Sequence, residues 1–138
     1  MDRMNVRALS EEERVSVDTE VIHGKHLGTE LGFPTANQLF SDGARIPKHG
    51  IYASIAEIDG REYAAVSNVG TRPTVDGAGV NCETHVIDRS LDLYGKRIKV
   101  TLCAYLREER RFGSVEELRR FISEDVARAR EYFEKTQA

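Results

Sequence analysis

An antiparallel β-barrel closed by a single C-terminal helix is the fold class this chain predicts, and three observations predict it. Residues 98 to 106 alternate strictly between apolar and polar side chains, the period-two signature of a half-buried strand. Asp59-Gly60 separates two β-rich runs, and both residue types tolerate the positive φ that a tight hairpin demands. After Gly113 the period changes, because Val115, Leu118, Ile122, Val126, Ala129 and Phe133 recur at helical spacing. Five or six short strands in a single small domain leave sheet edges that closure into a barrel removes.

In chain order, the charged stretch from Met1 to Arg14 predicts a flexible lead or linker remnant, with one domain from residue 15 to 138. Val15 to His23 mixes β-branched and polar residues and predicts a first strand ending at Gly24. A glycine-rich segment, GKHLGTELGFPTAN, follows at 24 to 37, and residues 38 to 49 carry turn chemistry that predicts a surface connection. Ile51 to Ile58 and Arg61 to Val69 form the hairpin arms. Gly70 to Gly79 predicts a long glycine-rich loop, a candidate functional loop in so small a domain. In the next strand Val80, Cys82, Thr84 and Val86 share one face, with Asn81, Glu83, His85 and Ile87 on the other. The alternation at 98 to 106 puts Ile98, Val100, Leu102, Ala104 and Leu106 together, opposite Lys99, Thr101, Cys103 and Tyr105. Ser114, followed by Glu117, is a capping box that starts the helix.

With 138 residues, 40% hydrophobic and 31% charged, the chain has the size of one domain with one core. A net charge of -3 argues against a general grip on nucleic acid, which calls for a basic surface. Cys82 and Cys103 are too few and too separated for a disulfide framework or a multi-cysteine zinc site. They predict ordinary strand residues in a reducing compartment. No run is long and apolar enough to span a membrane, and the charged start is unlike a signal peptide, so the expected location is the cytoplasm.

The residues with chemical potential fall in three places. Thr35 and Asn37 sit two apart after Pro34, so extended backbone projects a hydroxyl and an amide to one side. Both could meet phosphate oxygens or a hard cation, or they could simply hydrogen-bond a strand end. Glu83 lies on the polar face of its strand, either as a solvated carboxylate or as a general base on a rigid element. Arg107, Arg110 and Arg111 precede Phe112, forming either a solvated basic corner or a clamp for a planar ring. The histidines have no metal-site spacing, and the glycine-rich segment lacks the Gly-Lys-Ser/Thr ending of a P-loop.

Six blocks together extend this reading: LGFPTAN at 31 to 37, HGIYA at 49 to 53, SNVGTRPTV at 67 to 75, ETHVID at 83 to 88, LYGK at 93 to 96 and YLREERRF at 105 to 112. In this order they resemble the riboflavin kinase family, above all the kinase module of bacterial bifunctional FAD synthetases. The resemblance implies a six-stranded Greek-key barrel with a C-terminal helix, and ATP-dependent phosphorylation of riboflavin to FMN. It further implies Glu83 as the catalytic carboxylate and Thr35 and Asn37 as ligands of Mg²⁺ and nucleotide phosphate. Gly24 and Thr29 fall at phosphate-loop positions, while Val86, Asp88 and Tyr94 match the adenine pocket. Arg107, Arg110 and Phe112 match the flavin loop.

This chain departs from that pattern twice. Thr29 and Glu30 follow Gly28 where many relatives carry a basic residue, which leaves Lys25 as an alternative phosphate contact. Bifunctional relatives also carry an adenylyltransferase domain N-terminal to the kinase, so the chain is expected to be a stand-alone kinase or a module of a longer chain. A rival from another class is a non-catalytic barrel that binds flavin or nucleotide and regulates another protein.

Overall fold

In the computed structural model, which describes residues 6–24, 31–74 and 77–136, seven strands form one antiparallel sheet followed by one helix. The strands are β1 (Arg7–Ala8), β2 (Ser16–Glu20), β3 (Ala36–Leu39), β4 (Gly50–Ile58), β5 (Arg61–Thr74), β6 (Gly77–Val86) and β7 (Arg97–Arg107). The helix α1 spans Val115–Thr136. β4, β5 and β6 form a meander and β7 returns to lie beside β4, the Greek-key order. β2 pairs with β7 at one side and β3 pairs with β6 at the other. An isolated bridge between Ile22 and Asn37 brings these two flanks together. Gln38, fully buried, spans the same junction, donating from Nε2 to the carbonyls of Thr19 at 3.1 Å and Ile98 at 2.9 Å. The barrel is therefore six-stranded, with β1 as a short seventh strand on β7.

The Asp59-Gly60 hairpin forms as expected, with φ of 51° and 80° at the two positions. Four features differ from the sequence expectation. Arg7 and Ala8 pair with Tyr105 and Ala104, and Leu9 is buried, so part of the charged lead belongs to the sheet. β3 continues to Leu39, so the surface connection starts at residue 40.

In the stretch expected to be a loop at 70 to 79, residues 70–74 and 77–79 are instead hairpin arms: Gly70 opposes Asn81 and Thr74 opposes Gly77. The Glu109 carboxylate lies over Gly70, where a Cβ would stand 2.6 Å from Oε2. Pro73 is tolerated because β4 pairs β5 only as far as Val69, which leaves this stretch a local edge.

The fourth difference is in β7. Its register against β4 shifts between Ala53 and Ser54, the mark of a bulge, and the shift reverses the alternation. Ile98, Val100, Leu102 and Tyr105 face the barrel interior, while Cys103, Ala104 and Leu106 face the helix.

Two cores result. Inside the barrel, Tyr52, Val69, Cys82, Val86, Ile98 and Leu102 pack together. Ser54, Ser67 and Thr84 line up across β4, β5 and β6 in the same interior, with hydroxyl contacts of 2.8 and 2.7 Å. Outside the sheet, Ala129, Tyr132 and Phe133 of α1 cover Ile51, Ala53, Val66 and Leu106. The helix starts where its capping box predicts: Ser114 Oγ accepts from the Glu117 amide at 3.1 Å, and Glu117 reaches back to the Gly113 amide at 3.1 Å.

Candidate active site

The C-terminal half of α1 seals the outer faces of β4, β5 and β7, while its N-terminal half stands off the sheet. Between them lies a cavity of about 270 Å³. Ile51, Val66, Asn68, Glu83 and His85 form its floor, and Leu118, Ile122 and Asp125 of α1 form one wall. Leu31, Phe33 and Thr35 close one side, and Arg107, Glu109, Arg110 and Phe112 close another.

A polar row runs across the floor and on to β3, where Asn37 ends it just outside the lining. In register, Asn37 on β3 opposes Glu83 on β6, and Glu83 opposes Asn68 on β5. All three sit on the outer face, because period-two alternation sends Cys82, Thr84 and Val86 inward. Thr35 Oγ1 donates to Glu83 Oε1 at 3.1 Å, and Asn81 Nδ2 donates to Asn37 Oδ1 at 3.1 Å. Glu83 therefore does not stand as a solvated strand carboxylate: it lines the cavity and is tied to Thr35. Asn37 is 6% exposed and lies against Gly24, where a Cβ would stand 2.1 Å from its Nδ2. That contact explains a glycine at position 24 on steric grounds rather than as a turn.

Opposite this row, Arg107 forms a two-pronged ion pair with Asp125, Nε to Oδ1 at 2.8 Å and Nη2 to Oδ2 at 2.7 Å. Burial raises the Asp125 carboxyl above the ordinary range, and Arg107 opposes that shift. The Arg107 guanidinium also lies 5.8 Å from the centre of the Phe112 ring, and that of Arg110 lies 4.3 Å from the Phe121 ring. Arg107 and Arg110 thus lie beside aromatic rings, with Arg107 held by the helix, whereas Arg111 is exposed and does not line the cavity.

His85, expected to be a polar strand residue, is 8% exposed and places Nδ1 2.8 Å from the Pro34 carbonyl. A carbonyl only accepts, so Nδ1 carries a proton in this contact. Phe33 packs edge-on to the same imidazole at 5.4 Å, so His85 fixes the segment that carries Thr35.

Not every residue singled out by the sequence reaches the cavity. Val86 packs inside the barrel. Asp88 is exposed and pairs with Arg130 of α1 at 2.6 Å, and this hydrogen bond lowers its pKa. Tyr94 is 58% exposed and stacks on His23 at 3.7 Å. Lys25 and Thr29 lie outside the described residues.

Residues missed from the sequence include Phe33, Asn68, His85, Glu109, Leu118, Ile122 and Asp125. For Asp125 a signal existed: it lies three residues after Ile122 and four before Ala129, on the apolar stripe where a solvated charge is out of place. The two cysteines are free and buried, and burial pushes the Cys82 thiol to about 11, which keeps it protonated and unreactive.

The fold and site define a ligand-binding Greek-key barrel whose cavity sets a carboxylate and oxygen donors against an arginine-aromatic wall. The family model described as Flavokinase, riboflavin kinase, matches residues 11–133. The chain belongs to the riboflavin kinase family. It is 44% identical over 111 residues to the bifunctional riboflavin kinase/FMN adenylyltransferase of Pseudomonas fluorescens, covering 80% of this chain and 35% of that protein. It is 36% identical over 118 residues to the RNA-binding riboflavin kinase RibR of Bacillus subtilis, covering 83% of this chain and 49% of the relative. The crystal structure of riboflavin kinase from Trypanosoma brucei shares the fold, with a TM-score of 0.63 at 21% identity over 93% of this chain and 85% of that one.

The chain thus spans about a third of the first of these relatives. The RNA-binding relative also removes the support for excluding nucleic acid, because net charge describes the whole surface and does not exclude a local site. Among the described residues no helix is long and apolar enough to cross a membrane.

Proposed function

We propose that this chain is an ATP-dependent riboflavin kinase, transferring the γ-phosphate of ATP to the 5′-hydroxyl of riboflavin to give FMN. One observation carries this reading: Glu83 faces the cavity from the middle of a polar row, hydrogen-bonded to Thr35 and flanked by Asn37 and Asn68. A molecule that only had to be held would need no carboxylate at that point. Phe112, Arg107 and Arg110 supply a face for the flavin ring, which leaves the ribityl chain directed toward Glu83. The 5′-oxygen then attacks the γ-phosphorus, the bond from phosphorus to the ADP oxygen breaks, and the hydroxyl proton passes to the Glu83 carboxylate.

The donor chemistry fits Mg²⁺. The cavity end near Thr35, Asn37 and Glu83 offers hydroxyl, amide and carboxylate oxygens, and the buried Asn81 Oδ1 has no partner. Mg²⁺ takes hard oxygen ligands and is commonly held by a few protein atoms together with nucleotide phosphates and water. Thr35 and Asn37 would hold it, and once bound it supplies charge neutralisation for the transferred phosphoryl group. Gly24, Lys25 and Thr29 are assigned to the phosphates. Val86, Asp88 and Tyr94 are assigned to the adenine side, where Val86 acts only through the barrel wall. In a longer chain an adenylyltransferase domain would precede this module, and the protonated, buried cysteines accord with the cytoplasm.

Incubation with riboflavin, ATP and magnesium, followed by mass analysis, should reveal FMN. Glu83→Gln keeps the shape of the side chain and should lower FMN formation by about 10² to 10⁴-fold while the variant stays folded and binds both substrates. Parental-rate FMN formation by this variant would remove Glu83 from the mechanism.

A further inference from the structure

We propose that Asn68 reads a hydroxyl of the acceptor's polyol chain beside Glu83, and so sets specificity for the ribityl group over the bare flavin ring. This rests on the riboflavin kinase reading and gives a role to a residue of the SNVGTRPTV block that the sequence left without one.

Asn68 projects from the outer face of β5 into the cavity, directly across from Glu83. Residues so opposed have Cβ atoms about 5 Å apart, so their polar ends can meet neighbouring hydroxyls of one chain. The other members of this polar group already have protein partners. Thr35 is bonded to Glu83, and Asn37 is bonded to Asn81. Asn68 differs, because its Oδ1 is buried and has no hydrogen-bond partner. A buried amide oxygen without a donor is a standing cost to the fold and calls for an explanation.

The chemistry around Asn68 narrows that explanation. Its neighbours on the cavity floor are apolar Ile51 and Val66 on one side and the Glu83 carboxylate on the other. A carboxylate only accepts, so it cannot satisfy the amide oxygen. An entering hydroxyl can, because it both donates and accepts. The terminal torsion of asparagine is broad and roughly two-fold, so a half-turn presents either end of the amide to the cavity. The ligand that meets Glu83 and Asn68 together carries adjacent hydroxyls, as the ribityl chain does, and the planar ring lies beyond them against Phe112.

Fluorescence titration with riboflavin and with lumiflavin, a flavin ring without a polyol, separates this role from a structural one. Asn68→Ala should weaken riboflavin binding about tenfold and leave lumiflavin binding unchanged. In turnover the loss should fall mainly on the KM for riboflavin. Asn68→Ser, which restores a short hydroxyl, should recover part of the riboflavin affinity. Equal weakening for both flavins would make Asn68 structural and overturn the proposal, as would unchanged riboflavin binding in Asn68→Ala. If the parental chain makes FMN and the variant binds riboflavin like the parent, Asn68 falls and the kinase reading stands. If the parental chain binds riboflavin but makes no FMN, the kinase reading falls while the binding comparison still decides Asn68. Failure of the parental chain to bind riboflavin overturns both.

Discussion

Helix α1 meets the same sheet in two different ways along its length. In its C-terminal half Ala129, Tyr132 and Phe133 are 0%, 6% and 7% exposed and press on Ala53, Cys103 and Leu106. In its N-terminal half Leu118 and Ile122 belong to the same amphipathic stripe yet line a cavity of about 270 Å³. Ile51 and Val66 of the sheet belong to both environments. One apolar stripe therefore does two jobs, anchoring the helix at one end and walling a binding site at the other. The Arg107–Asp125 pair marks the border between them.

Phe133→Ala tests the anchored half and should have the largest effect on stability, about 3 to 5 kcal/mol from lost burial plus a cavity. Thermal unfolding should show a fall of roughly 10–20 °C. A loss of only a degree or two would mean that the C-terminal half is not the anchor.

Next in size is Asp125→Ala at the border. Burial disfavours the Asp125 carboxylate, so the pair is an expensive one, but removing one partner strands the Arg107 charge at a site only 17% exposed. The expected cost is about 3 kcal/mol in denaturant unfolding, with weaker flavin binding as Arg107 comes loose. Unchanged flavin binding in a destabilised variant would confine the pair to a structural role.

The smallest stability change is expected for Ile122→Ala, under about 1 kcal/mol, because its side chain faces space rather than a packed neighbour. Flavin affinity should nonetheless fall by roughly tenfold, as apolar contact with the ring is lost. Stability loss matching that of Phe133→Ala would erase the distinction between the halves.

The strand-then-helix order, the Asp59-Gly60 hairpin and the helix cap were legible in the sequence because each rests on neighbours in the chain. Thr35 and Asn37 were legible as a pair for the same reason, since extended backbone alone places them on one side. The arms at 70–74 and 77–79 are not legible in the sequence, because glycine and proline signal turns when seen locally. Here Gly70 pairs with Asn81 and lies under Glu109, and Pro73 sits where β5 has no β4 partner, all long-range facts. The bulge in β7 was likewise invisible, since it is defined only against β4. Asp125 was legible as a charge out of place on the apolar stripe, but its partner was not, since Arg107 lies 18 residues away on β7.

The junction of β2 and β3 has a consequence for how the barrel breathes. β4, β5, β6 and β7 are joined by long backbone ladders, but among the described residues β2 and β3 meet at one bridge, Ile22 to Asn37, with the side chain of Gln38 beside it. Such a clasp is the place where sub-global opening costs least. Asn37 belongs to the clasp and to the proposed metal and phosphate site alike. A nucleotide gripped there would fasten the barrel at its weakest line, so occupancy of the site and closure of the whole cylinder become one thermodynamic event.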